Sequence, residues 1–89
     1  MKAIVTVVGK DQVGIIAAVC VHLASYNVNV LDISQTVMQG FLTMMMVVDV
    51  SACNVPVAEL AQAVEEKGKE MNLSIRLQRE DIFSAMHQV

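Results

Sequence analysis

Apolar and polar positions follow two different periods along the chain, and the switches between them mark out six elements. Residues 3–8 are a short β-branched run, a predicted strand, closed by the turn Gly9-Lys10-Asp11-Gln12-Val13-Gly14. Over residues 15–26, Ile16, Val19, Cys20, Leu23 and Tyr26 recur at helical spacing, and Asn27 is the stop. Residues 28–37 predict a second strand. Val28 and Val30 share one face, Leu31, Ile33 and Val37 the other, and the change of parity near Leu31 marks a bulge or twist. Met38-Gln39-Gly40 is a tight hairpin connection, so residues 41–50 should pair antiparallel with that strand. This third strand is apolar on both sides, Leu42, Met44, Met46 and Val48 against Phe41, Met45 and Val47, as expected of a central strand buried twice over.

Residues 51–54 offer capping oxygens, and Pro56 fits the first turn of a second helix. Val57, Leu60, Ala61, Val64 and Met71 form its apolar stripe, opposite Glu59, Gln62, Glu65, Glu66 and Lys69, and Asn72 ends it. Leu73, Ile75 and Leu77 then alternate with Ser74, Arg76 and Gln78, a strand buried on one face only. The order βαββαβ predicts an α+β, ferredoxin-like sandwich. Right-handed crossovers place both helices on one face of a four-stranded antiparallel sheet, with the first and third strands central. Residues 1–79 make that domain. Residues 80–89 add a short helical tail with Ile82, Phe83 and Met86 as its apolar stripe, too short to fold alone and expected to dock on the domain or on a partner.

Composition narrows this further. With 89 residues there is room for one domain, yet 55% are hydrophobic and the mean hydropathy is +0.55. That excess points to a homo-oligomer, in the simplest case a dimer, because a second copy covers surface that one copy cannot. No run approaches the roughly 18 apolar residues of a membrane span, and the run after Lys2 is too short for a signal peptide. The net charge of −3 and the six Lys and Arg residues argue against nucleic acid. Cys20 and Cys53 form no CxxC and read as reduced thiols of a cytoplasmic protein.

The turn after the first strand feeds straight into a helix, so the N–H groups of Val13, Gly14 and Ile15 should lie unpaired at its positive end. Such a place suits an α-carboxylate or another small anion. Gly14 has no side chain to obstruct it, and Asp11, with Gln12 next to it, offers a carboxylate to an ammonium group. A competing structural reading makes Asp11 an ordinary N-cap and Gly14 an aid to tight strand–helix packing. Asn29 can both donate and accept, as an amino-acid backbone requires, or can serve as an edge-strand hydrogen-bonding group. Asp32, Ser34 and Gln35 face water or line a groove between edge strands.

Enzyme readings fail on inventory. His22 has no acid or thiol three or four residues away, His87 lies in the tail, and Cys20 sits on an apolar stripe. Cys53, in a loop, leaves a redox switch as a rival reading. An acylphosphatase-like activity would need an Arg beside the first turn, and Lys10, Arg76 and Arg79 are not so placed. Neither a metal nor a cofactor is expected, and no catalytic residue is assigned.

The runs Gly9–Ile15 and Asn27–Gln35 together resemble the ACT domain. The Asp-Ile-Ser-Gln-Thr-Val, Phe-x-Thr-Met-Met and Ile-Phe-x-Ala-Met runs, beginning at Asp32, Phe41 and Ile82, resemble the single-domain UPF0237 branch of it. The resemblance implies side-by-side or back-to-back homodimers in which the first turn of one subunit faces the second strand of its neighbour. It also implies a non-catalytic regulatory role, an amino acid as ligand held by Asp11, Gly14 and Asn29, and a separate polypeptide as the regulated partner. Gly9 stands where several serine-binding relatives have His, and Val13 where many have Pro, so serine itself is not implied. The alternative is a ligand-free association module.

Overall fold

The computed structural model describes residues 1–81; the predicted apolar stripe of the tail lies outside them. Six elements follow in the expected order: β1 (Lys2–Lys10), α1 (Ile15–Ser25), β2 (Asn29–Met38), β3 (Phe41–Asp49), α2 (Val57–Glu70) and β4 (Leu73–Arg79). All strand pairs are antiparallel in the order β2-β3-β1-β4, so β1 and β3 are central and β2 and β4 are edges.

Alternate residues of the sheet face the helices. Val5 pairs with Met46 and Leu77, Val7 with Met44 and Ile75, and all six join Leu23 of α1 and Leu60 and Val64 of α2 in one core. β1 runs to Lys10, two residues beyond the predicted strand, because Gly9 and Lys10 still pair with Leu42 and Phe41. Gly9 also lies close against β4: a Cβ there would press on the end of the Leu73 side chain, which would have to shift to admit it.

Three expectations need correction. The buried stripe of α1 is Ile15, Val19 and Leu23, while Ile16 is 37% exposed. That helix is apolar all round, so periodicity could not fix its phase. The second face of β3 is not buried, since Phe41 is 62% and Met45 38% exposed; both helices lie on the opposite side of the sheet. No side chain of residues 51–54 caps α2, whose N-cap is Pro56 itself with φ −59° and ψ 147°. Ser51 instead donates its backbone N–H to Asp49, and Asn54 donates Nδ2 to the Ser25 carbonyl.

The parity change in β2 is a bulge. Val30 pairs with Val48 and Asp32 with Val47, leaving Leu31 unpaired between them. Val28 and Val30 before the bulge therefore share the helix-facing side with Ile33, Gln35 and Val37 after it. Asn27, Gln39 and Asn72 all have positive φ, at 62°, 51° and 59°, where the chain reverses after α1, in the hairpin and after α2.

Candidate functional site

The turn between β1 and α1 is tied down on two sides. Asp11 donates its N–H to the Gly40 carbonyl of the β2–β3 hairpin at 2.8 Å, and Gln12 donates Nε2 to the Met71 carbonyl at 3.1 Å. Gly14 then turns the chain into the helix with φ 86° and ψ 5°. A Cβ at Gly14 would meet nothing within 4 Å, so the left-handed backbone, not packing, calls for glycine there. Asp11 is not the N-cap: that position is Gly14, and no side chain caps the helix.

The first intrahelical bond runs from the Ala18 N–H to the Gly14 carbonyl at 2.9 Å. The N–H groups without an intrahelical acceptor are thus those of Gly14, Ile15, Ile16 and Ala17, further along than Val13. They border a cleft of about 210 Å³ lined by Asp11, Gln12, Gly14, Ile15, Ile16, Ala17, Gln35, Val37 and Leu42. Its floor is apolar. Its polar side chains are Asp11, Gln12 and Gln35, and the Asp11 carboxylate has no hydrogen-bond or ion-pair partner among the described residues.

Four of the six expected residues line this cleft: Asp11, Gln12, Gly14 and Ile15. Val13 does not; its side chain is fully exposed. Asn29 does not either. It begins β2 opposite Asp49, at the far end of the sheet, eight residues or about 26 Å of strand from Val37. Gln35 and Val37 complete the cleft because the bulge turns them towards the helices, and the break in parity at Leu31 is the one sequence signal of it.

A larger open groove of about 460 Å³ runs along the helices past Ala17, Ala18, Val21, His22, Ser25 and Lys67. His22 stands edge-on to Tyr26 with ring centres 5.3 Å apart, and its Nε2 is buried without a hydrogen-bond partner. No three metal-binding side chains cluster among the described residues, and no helix there is long and apolar enough to cross a membrane.

Comparison with known proteins agrees with the fold. The ACT domain family profile matches residues 2–78. A UPF0237 protein of Bifidobacterium longum is 49% identical over 88 residues, 99% of this chain and 98% of its own. The structure of an ACT domain protein from Streptococcus pneumoniae superposes with a TM-score of 0.82 at 44% identity, covering 98% of each chain. The regulatory subunit of aspartate kinase from Thermus thermophilus superposes with a TM-score of 0.69 at 26% identity, over 89% of this chain and 51% of that one. With a βαββαβ sandwich, the family profile across nearly its whole length and a full-length relative at this identity, the chain belongs to the ACT domain family, in its UPF0237 branch.

Proposed function

We propose that this chain is a non-catalytic regulatory module that binds an amino acid in the cleft at the start of α1. The observation that carries the reading is the pairing of an uncapped helix N-terminus with an unpartnered carboxylate, Asp11, in one cleft. An α-amino acid carries a carboxylate and an ammonium group on one carbon. The first suits the free N–H groups and the helix dipole, the second suits Asp11, and the apolar floor takes a side chain. The Thermus subunit, regulatory by its name, gives independent support.

The functional unit in this reading is a homodimer joined side by side. α1 contains no Asp, Glu, Lys or Arg, and its outward Val21 is 70% exposed; on the neighbouring edge strand Leu31, Ile33 and Val37 are exposed too. Antiparallel pairing of two β2 edges centred near Ile33 would bring the partner's Asn29 level with Val37, beside the cleft its own chain cannot reach. Ligand binding would then favour one association state over another, and so act on a separate polypeptide. Free Cys20 and Cys53 suit the cytoplasm as its setting.

Thermal denaturation with each amino acid at millimolar concentration tests the reading. A ligand at 100 times its Kd adds about 2.7 kcal/mol, a shift of many degrees for a domain of this size. One or a few amino acids should raise Tm, and Asp11→Ala should abolish the rise. No shift across the set, with an unchanged oligomer, would leave the association module as the function.

A further inference from the structure

Among the described residues, one buried side-chain nitrogen or oxygen lacks a hydrogen-bond partner: Nε2 of His22. Folded proteins keep few such atoms, because an unpaired buried polar group is costly. His22 lines the groove of about 460 Å³ between α1 and α2. The α1 wall of that groove is apolar: Ala17, Ala18 and Val21, the last 70% exposed, on a helix without a charged residue. α2 contributes Lys67, which is half-buried. Lys side chains are mostly exposed or paired, yet the Lys67 ammonium has no ion-pair partner among the described residues. No carboxylate lines the groove either.

These features select one kind of occupant. The volume lies in the range of small-molecule sites, about 300–1,000 Å³, and the apolar wall with a few polar groups is their usual lining. From Ala17 to Ser25 the groove runs along eight helical residues, about 12 Å. Lys67 calls for an anion, and a carboxylate has two oxygens, one for an ammonium and one for an imidazole N–H. A second copy packed α1 against α1 brings no acid to Lys67, because α1 contains neither Asp nor Glu. The β2 edge contributes no residue to the groove, so pairing of two such edges leaves it open.

We propose that the groove between α1 and α2 is a second ligand site, for a small carboxylic acid with an apolar body. Its carboxylate meets Lys67 Nζ and His22 Nε2, and the body lies along Ala17, Ala18 and Val21. This site shares only Ala17 with the cleft at the start of α1, and its charge preference is the opposite, since Asp11 there favours an ammonium group. The proposal does not depend on the amino-acid reading.

NMR titration of the full chain with octanoate, beside octylammonium as the charge-reversed control, tests it. Octanoate should shift the methyl signals of Ala17, Ala18 and Val21 and the ring signals of His22, saturably and at millimolar concentration, and octylammonium should not. Lys67→Gln should weaken octanoate binding about tenfold, the loss of one charge-assisted contact. His22→Phe, which keeps a ring against Tyr26, should weaken it as well, and Asp11→Ala should leave it unchanged. Binding lost in Asp11→Ala places octanoate in the other cleft and overturns the proposal. So does the absence of saturable shifts, equal binding of octylammonium, or an affinity that either Lys67→Gln or His22→Phe leaves unchanged. Shifts of the same methyl signals on dilution alone make a second copy the occupant, and overturn it too.

Discussion

The Asp11 N–H donates to the Gly40 carbonyl at 2.8 Å, so the hairpin between β2 and β3 sets the position of the turn that feeds α1. Gly40 has φ 84° and open space around a notional Cβ. Gly40→Ala should therefore cost about 1 kcal/mol from backbone strain alone, and loosen the turn with it. Asp11→Ala keeps the backbone bond and removes only an exposed carboxylate. Its stability should stay within about 0.5 kcal/mol of the parent, while the amino-acid-induced rise in Tm disappears. Denaturant melts with and without ligand separate the two effects.

Gly68 offers a reversal of sign. On an exposed helix Gly→Ala stabilises by about 1 kcal/mol. Here a Cβ would come within 2.8 Å of the Leu73 carbonyl oxygen and 3.1 Å of the Ile75 nitrogen, both backbone atoms of β4. Overpacking of this kind costs about 1–3 kcal/mol, so Gly68→Ala should destabilise on balance. An increase in the denaturation midpoint would refute the tight contact of α2 on β4.

How much of this was legible depended on contrast between faces. α2 could be phased from sequence because Glu59, Gln62, Glu65 and Glu66 fix its wet side opposite Leu60 and Val64. α1 gave no such contrast, and Ile15 and Ile16 are indistinguishable until the turn places one of them inward. The bulge at Leu31 was visible as a break in parity, but its consequence for Gln35 and Val37 appears only when the strand is paired with β3. The apolar outer face of β3 read as burial, because hydrophobicity does not say whether the covering layer belongs to the same fold.

Asp49 supplies a pH dependence with a definite sign. It accepts the Ser51 N–H at 2.9 Å and lies 3.6 Å from the N-terminal ammonium. The hydrogen bonds from Ser51, and then the terminal charge, hold its carboxyl below the usual aspartate value. A carboxylate with a lowered pKa in the folded state adds stability above its unfolded pKa of about 3.9, and that stability is lost as pH falls through the folded value. Asp49→Asn should accordingly reduce the fall in stability below about pH 4 and leave its slope above about pH 5 unchanged. The carboxylate is exposed, so the difference is small and best read by NMR titration of the side chain beside a denaturation series. A midpoint at or above the usual aspartate value would contradict the Ser51 contacts.

The separation of Asn29 from Asp11 within one chain makes the proposed shared site testable by complementation. Asn29 and the cleft lie at opposite ends of β2, so one subunit cannot place both on one ligand. Asp11→Ala breaks a site at the turn, and Asn29→Ala would break the neighbour's site from across the interface. Each variant alone should show no ligand-induced stabilisation. Unfolded together and refolded as a mixture, half of the dimers carry one copy of each. Every such dimer has one site with both residues intact and one with neither, so about one site in four regains binding. Calorimetric titration of the mixture, against each variant alone, reads that fraction directly. If Asn29→Ala binds as the parent does, the second strand contributes nothing and the site belongs to a single chain. If neither variant binds and the mixture does not recover, the two residues do not meet across a shared interface.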